Sequence, residues 1–349
     1  MNNRFTKKGV YMSGIKEIAE LAQVSEATTS LVLNGKGDAS RISSATQQKV
    51  FEAAKTLNYR PNISARRLRN GGEKVLPVIA LLWTLDSRAS LVGPFLKGIQ
   101  TTISNYNEEF DLMIQPFLGS QLSEIRSLIT GTRFNGAIIV NPTEQDEQFL
   151  EAANPSIPIV LYQRSSQKYS CVNVDNFKSG QEVATLFANR GHREVGIVLP
   201  NVSSTAIRKR KEGFLTMADE LGLHVRLENI IFNDFNETGG YNAFQKLMQS
   251  SILPSAVFVA SDQMSVGALS ALNEQGIQVP HDIEIVSHDN YEVSKFTIPP
   301  LTTMHIPLDE MATACVQILV DLMHHQVTAP IHKNFETHLV VRETCGGFK

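Results

Sequence analysis

Apolar positions recur at helical spacing from residue 15: Ile15, Ile18, Ala19 and Ala22 share one face of a first helix. Gln23 and Val24 interrupt the pattern, and Ser25 stands where a helix N-cap belongs. A second helix then runs from Glu26 to Leu33, with Thr29, Val32 and Leu33 on one side and Ala27, Ser30 and Leu31 on the other. Two short helices about a tight turn fit a helix-turn-helix, and equally an ordinary helical hairpin. Ser44 and Gln47 form a capping-box pattern ahead of Val50, Ala53, Ala54 and Leu57, which predicts a third helix able to close a small core. Asn58, Tyr59 and Pro61 end it. Residues 62–69, NISARRLR, are bounded by a capping Asn62 and by Gly71-Gly72. So short and charged a helix is unstable alone, and its three arginines suit a segment that folds when phosphate neutralises it.

From Val75 the period changes. Strand-like runs lie at 75–83, 111–117, 136–141 and 157–163, and a second series at 171–176, 194–200, 229–234, 255–262 and 283–290. Helical stretches such as 94–106, 180–190 and 264–275 separate them. Apolar strands alternating with helices mean parallel sheets covered on both faces. There are too many units for one sheet, so two α/β lobes are expected, with a last helix at 308–325 and a last strand at 338–343. The expected division is a head over 1–60, a linker over 61–74 and a body over 75–349. Within the body, the first lobe takes 75–174 and 306–334, and the second 175–305 and 335–349.

Charge sharpens this division. Residues 1–72 carry 12 Lys/Arg against 5 Asp/Glu, whereas the rest carries 20 against 30. A basic head on an acidic body suits a polyanion-binding module joined to a separate domain. With 42% hydrophobic residues the chain can bury substantial cores, yet no run approaches a membrane span. The first residues lack the apolar middle of a signal peptide, and Cys171, Cys315 and Cys345 are odd in number and widely spaced. Free thiols in a cytoplasmic protein are expected.

In order along the chain, IKEIAELAQVSEATTSLVLNGKG, NYRPNISARRL, VDNFKSG, RGHREVGIV, RKEGF, ASDQMSVGAL, HDN and PPLTT resemble the lactose-repressor/galactose-repressor family of bacterial transcription regulators. The resemblance covers essentially the whole chain. It implies a homodimer whose helix-turn-helix heads and hinge helices bind a palindromic operator in double-stranded DNA. The body is then similar to a periplasmic sugar-binding protein, with a small-molecule effector, a sugar or derivative, between its lobes.

By that resemblance, Glu26, Ala27 and Leu31 read base edges, while Ser25, Thr28 and Ser30 contact phosphate or sugar. Thr29 departs from the family's buried aliphatic, which implies a slightly weaker head. Asn62, Ala65 and Leu68 match the hinge-helix pattern; Leu68 is the minor-groove wedge, and Arg66, Arg67 and Arg69 neutralise phosphates. In the cleft, Arg208 resembles the arginine that holds effector hydroxyls or carboxylate, Asp289 the acid that accepts from hydroxyls, and Phe235 the aromatic that stacks on the ligand. Arg210 is expected to pack structurally and Asp262 to cap a helix. Gln163 and Ser261 stand where acids or an asparagine are frequent, and Leu91 and Val92 fall near the first-lobe wall.

No enzyme is expected. The chain has no G-x-S-x-G, Walker A loop or strand-to-helix G-x-G-x-x-G, and no cofactor is implied. His324, His325 and His332 read as surface residues without metal spacing, and His288 and Asp289, adjacent on an extended segment, should point opposite ways. The alternatives are a transport-type solute-binding protein without DNA output, or a regulator controlled by a protein corepressor.

Overall fold

The computed structural model describes residues 14–33, 36–57, 59, 76–85, 92–104 and 109–346. The expected hinge, with Asn62, Ala65, Arg66 and Leu68, and the expected cleft residue Leu91 lie outside the described residues.

Three helices form the head: α1 (Ile15–Ala22), α2 (Glu26–Leu33) and α3 (Ser44–Thr56). Ile18, Ala22, Val32, Val50, Ala53 and Ala54 meet in one apolar cluster. Ser25 caps α2 as expected, its Oγ accepting the Thr28 N–H at 3.0 Å. The cap of α3 lies one residue earlier than its sequence pattern indicates. Ser43 Oγ accepts from Thr46 N–H at 3.2 Å, while Gln47 donates to Asp38 and to the Ile42 carbonyl at 2.8 and 2.9 Å. Gln47 is thereby committed to the preceding turn and closes no box with Ser44. Thr29 is fully buried, and its hydroxyl donates to the Ser25 carbonyl at 3.1 Å. The helix itself satisfies the polar group, leaving the methyl to pack.

The body alternates strands and helices. Its strands are β1 (Val78–Thr84), β2 (Asp111–Phe117), β3 (Gly136–Val140), β4 (Ile159–Tyr162), β5 (Ser170–Val174), β6 (Glu194–Pro200), β7 (His224–Asn233), β8 (Ala256–Val259), β9 (Glu284–Asp289), β10 (Thr302–His305), β11 (His332–Phe335) and β12 (His338–Val340). Its helices are α4 (Val92–Ser104), α5 (Arg126–Thr130), α6 (Glu144–Ala152), α7 (Asn176–Asn189), α8 (Thr205–Glu220), α9 (Glu237–Leu247), α10 (Asp262–Glu274) and α11 (Leu308–Met323). None among the described residues is long and apolar enough to cross a membrane.

The strands form two six-stranded sheets, ordered β2-β1-β3-β4-β5-β11 and β7-β6-β8-β9-β10-β12. The pairings are parallel except for the antiparallel β10–β12 edge. Burial on both faces explains the unbroken apolar runs. In β1, Ile79, Leu81 and Trp83 enter one cluster together with Met311, Val316 and Leu319 of α11, while Val78, Ala80 and Leu82 enter another on the opposite face. β6 behaves likewise, with Ile197 and Leu199 on one side and Val198 on the other.

The chain passes between the two sheets three times: from β5 into α7, from β10 into α11, and from β11 into β12. Three connections thus join the two lobes.

The RGHREVG segment has a structural task. Arg190 donates to Glu284 through Nε and Nη2 at 2.7 and 2.6 Å, and His192 Nε2 lies 3.0 Å from the same carboxylate. Burial alone would raise the Glu284 carboxyl, but the nearby His192 ring and the Arg190 guanidinium outweigh burial and hold it below its ordinary value of 4.5. A lowered folded pKa stabilises the native state above the unfolded carboxylate pKa, and this stabilisation is lost as pH falls through the lowered value. Acid titration of stability should therefore show a component that disappears in Glu284→Gln. Superimposable acid limbs for the two proteins would refute this assignment.

Candidate effector cleft and DNA-reading helix

In open α/β sheets, ligands gather at the carboxyl ends of strands where the strand order reverses. Here both sheets point such ends at one interlobe chamber. Asn141 follows β3, Tyr162 ends β4, and Gln163 and Arg164 follow it. From the second lobe come Ser204, Ile207 and Arg210 around α8, Phe235 after β7, Asp289 at the end of β9 and Tyr291 beyond it. Asn141, Gln163 and Asp289 have positive φ values of 57°, 57° and 112°. Non-glycine residues in this region carry backbone strain, and such strain concentrates where side chains are re-aimed at a site.

The reversal at Asp289 corrects one expectation. His288 and Asp289 do not point opposite ways, because the positive φ breaks the strand's alternation, and His288 Nδ1 lies 3.1 Å from Asp289 Oδ1 in a shared hydrogen bond. Burial, aided by Arg210, keeps the His288 imidazole well below its usual pKa and so neutral. Burial pushes the Asp289 carboxyl well up, opposed by Arg210 and Ser261, while Asp262 adds to the rise.

Arg210 corrects a second expectation. The α8 arginine that lines this chamber is Arg210, whereas Arg208 lines an adjoining one. Arg210 is 3% exposed and donates through Nη1 to the Ala260 carbonyl and through Nη2 to Asn176 Oδ1, both at 2.8 Å. Burial lowers its pKa to about 10, so it stays cationic at neutral pH. Asn176 in turn donates to Gln163 Oε1 at 2.9 Å, which links the lobes beside the first crossover. Arg208 lies outside this chamber, on an exposed side of α8, paired with Glu212 at 3.1 Å. Two residues apart on a helix, the side chains diverge by roughly 200°.

Of the other expected cleft residues, Gln163, Phe235 and Asp289 line the chamber. Val92 does not: it begins α4 and packs on the first-lobe core. Ser261 is fully buried and caps α10, its Oγ accepting from Gln263 N–H at 3.3 Å; it supports Asp289 from behind without lining the chamber. Asp262, expected as that cap, instead accepts from Tyr291 N–H and the Thr303 hydroxyl at 2.7 and 2.8 Å. It thereby positions Tyr291, a chamber residue that sequence reasoning missed along with Asn141, Tyr162, Arg164 and Ser204.

Two buried polar atoms in this chamber, Arg210 Nε and Asp289 Oδ2, have no hydrogen-bond partner among the described residues. A buried donor and acceptor left unmatched are costly.

On the head, Ser25, Glu26 and Ala27 are exposed at the start of α2, and Thr28, Ser30 and Leu31 are half-buried. Thr29 and Val32 take the core side. The expected base-reading trio therefore shares the outward side of one helix.

Comparison with known proteins accords with this geometry. Residues 14–62 match the family described as bacterial regulatory proteins, lacI family, and residues 184–345 match a periplasmic binding protein-like domain. A LacI family transcription regulator from Clostridium acetobutylicum is 32% identical, with 76% of this chain and 99% of that one covered and a TM-score of 0.73. The chain belongs to the lacI family. Other relatives in the lacI family extend through the head. The probable HTH-type transcriptional repressor ExuR of Bacillus subtilis (strain 168) is 27% identical over 95% of this chain and 98% of its own length. The transcriptional regulator CelR, solved as a cellobiose complex, is 25% identical over 95% of this chain and 99% of its own, with a TM-score of 0.69. Relatives of this kind are regulators and not enzymes, and the match at 14–62 removes the transport-protein alternative, which had no use for the head.

Proposed function

We propose that this lacI-family chain is a cytoplasmic transcriptional repressor that binds a palindromic operator as a homodimer and is controlled by a carbohydrate held between its lobes. The observation that carries the effector reading is the unmatched pair Arg210 Nε and Asp289 Oδ2 beside the Phe235 ring. A sugar hydroxyl both donates and accepts, so one vicinal diol satisfies the two atoms, and an aromatic side chain covers the apolar face of a sugar ring. The cellobiose complex of CelR supports the same ligand class. Ligand contacts from both sheets alter the lobe angle through the three crossovers, and the lobe angle sets how two heads and their hinges meet DNA.

Selection of full-length protein on random duplexes, with and without a panel of carbohydrates, tests this reading. The expected result is an enriched inverted repeat whose affinity changes by about ten-fold with one sugar or sugar derivative. Glu26→Ala combined with Leu31→Ala should abolish the sequence preference while keeping salt-sensitive nonspecific binding. Failure to enrich an inverted repeat overturns the operator reading. An enriched repeat indifferent to every carbohydrate overturns the effector reading.

A further inference from the structure

A second chamber opens off the effector chamber and shares Ser204 and Ile207 with it. Arg208 and Lys211 of α8, Asn201, Phe232 and, from the first lobe, Glu144 wall it. The inner chamber has a volume of about 70 Å³ and the outer about 250 Å³. At roughly 10–15 Å³ per enclosed water, the inner space holds about five waters, less than a whole sugar derivative requires. The inner unmatched atoms, Arg210 Nε and Asp289 Oδ2, are thus served by one end of a ligand whose remainder reaches outward past Ser204.

The outer walls indicate what that remainder is. Helix α8 runs along both chambers, sending Arg210 inward and Arg208 and Lys211 outward. Lys211 Nζ sits 5.5 Å above the centre of the Phe232 ring, which holds the ammonium at the chamber wall. The Arg208–Glu212 pair is half-exposed and follows its own helix, a weak tie that an anionic ligand can displace. Of the residues lining the outer chamber, Glu144 is the carboxylate set against the two cations, with Glu212, paired to Arg208, and Glu147, within electrostatic reach of it, nearby. The capped end of the 16-residue α8, with Ser204 at the junction, adds positive potential.

We infer that the outer chamber is an anion subsite, and that the effector is a carbohydrate bearing a phosphate or carboxylate group. Its polyol end meets Arg210 and Asp289, and its anionic group meets Arg208 and Lys211. This rests on the carbohydrate-effector reading above.

Calorimetry on the full-length protein with matched sets tests it: glucose, glucuronate and glucose 6-phosphate; galactose, galacturonate and galactose 6-phosphate; ribose and ribose 5-phosphate. At least one anionic member should bind about ten-fold or more tightly than its neutral parent. The carboxylate and phosphate arms show which group is read. In Arg208→Gln/Lys211→Gln that advantage should vanish, the anionic member losing at least about ten-fold more affinity than its neutral parent. Equal binding of neutral and anionic members, retention of the advantage in the double variant, or binding of no anionic member each overturns the anion subsite. Arg210→Lys separates the two readings: neutral sugars that bind through Arg210 but ignore Arg208 and Lys211 leave the effector cleft standing and remove only the subsite.

Discussion

Arg210→Lys is expected to fold and to lose effector affinity by about 100-fold, the scale of one or two hydrogen bonds to a charged group. A lysine keeps positive charge beside Asp289, yet a single ammonium cannot hold the Ala260 carbonyl, hold Asn176 Oδ1 and still present an N–H where Nε now lies. Arg210→Ala should be harsher. It strands the Ala260 carbonyl, the Asn176 amide and the Asp289 carboxyl in a buried site, at a cost of about 3–5 kcal/mol. Asp289, losing the cation that opposes its burial, would then take up a proton more readily. Denaturant unfolding measures the stability loss, and calorimetry with the sugar that acts in the operator selection measures the affinity. If Arg210→Lys bound that sugar as tightly as the parent protein, Arg210 would be no more than a packing residue.

Gly213→Ala should cost about 3 kcal/mol, the upper part of the usual range for overpacking. Gly180 of α7 and Gly213 of α8 lie back to back. A Cβ at 213 would run into the Phe177 carbonyl, and one at 180 into the Arg210 carbonyl and Phe214 amide. These obstacles are backbone, so the helices themselves must part. Because Asn176 opens α7 and Arg210 rides on α8, parting them also stretches the 2.8 Å Arg210–Asn176 bond. The expected signature is a lower urea midpoint together with weaker effector binding. Gly222→Ala is the control: its φ is +68° with nothing within 4 Å of the added carbon, so it should cost only about 1 kcal/mol of backbone strain and leave binding alone. Equal effects at 213 and 222 would remove the helix-packing argument.

The head was legible because its helices are short, amphipathic and bounded by side-chain signals: α1 and α2 occupy the spans read from periodicity and from the Ser25 cap. β2 and β6 likewise begin and end where their apolar runs do. β11 escaped because His332, Lys333 and Asn334 are exposed edge positions with no apolar pattern to mark them. The inward turn of Arg210 was legible in the sequence. Ile207, Arg210 and Phe214 recur at spacings of three and four and are all buried, so the stripe that places Ile207 and Phe214 inside also carries Arg210 inside. The His288–Asp289 contact was not legible, because it depends on a positive φ that no local residue pattern announces.

The triple crossing between the sheets has a consequence for how this chain is made. Neither sheet is drawn from one continuous stretch: the first needs β11, and its core needs Met311, Cys315, Val316 and Leu319 of α11. On a ribosome, β1–β5 emerge first but must wait through some 130 further residues, all of β6–β10, for the helix that covers them. The sheet of β6–β10, drawn from one uninterrupted segment and lacking only the β12 edge, can assemble meanwhile. The earlier-synthesised sheet is therefore the later to close, and its exposed nascent β1 and β3 faces are where chaperone dependence of this protein would originate.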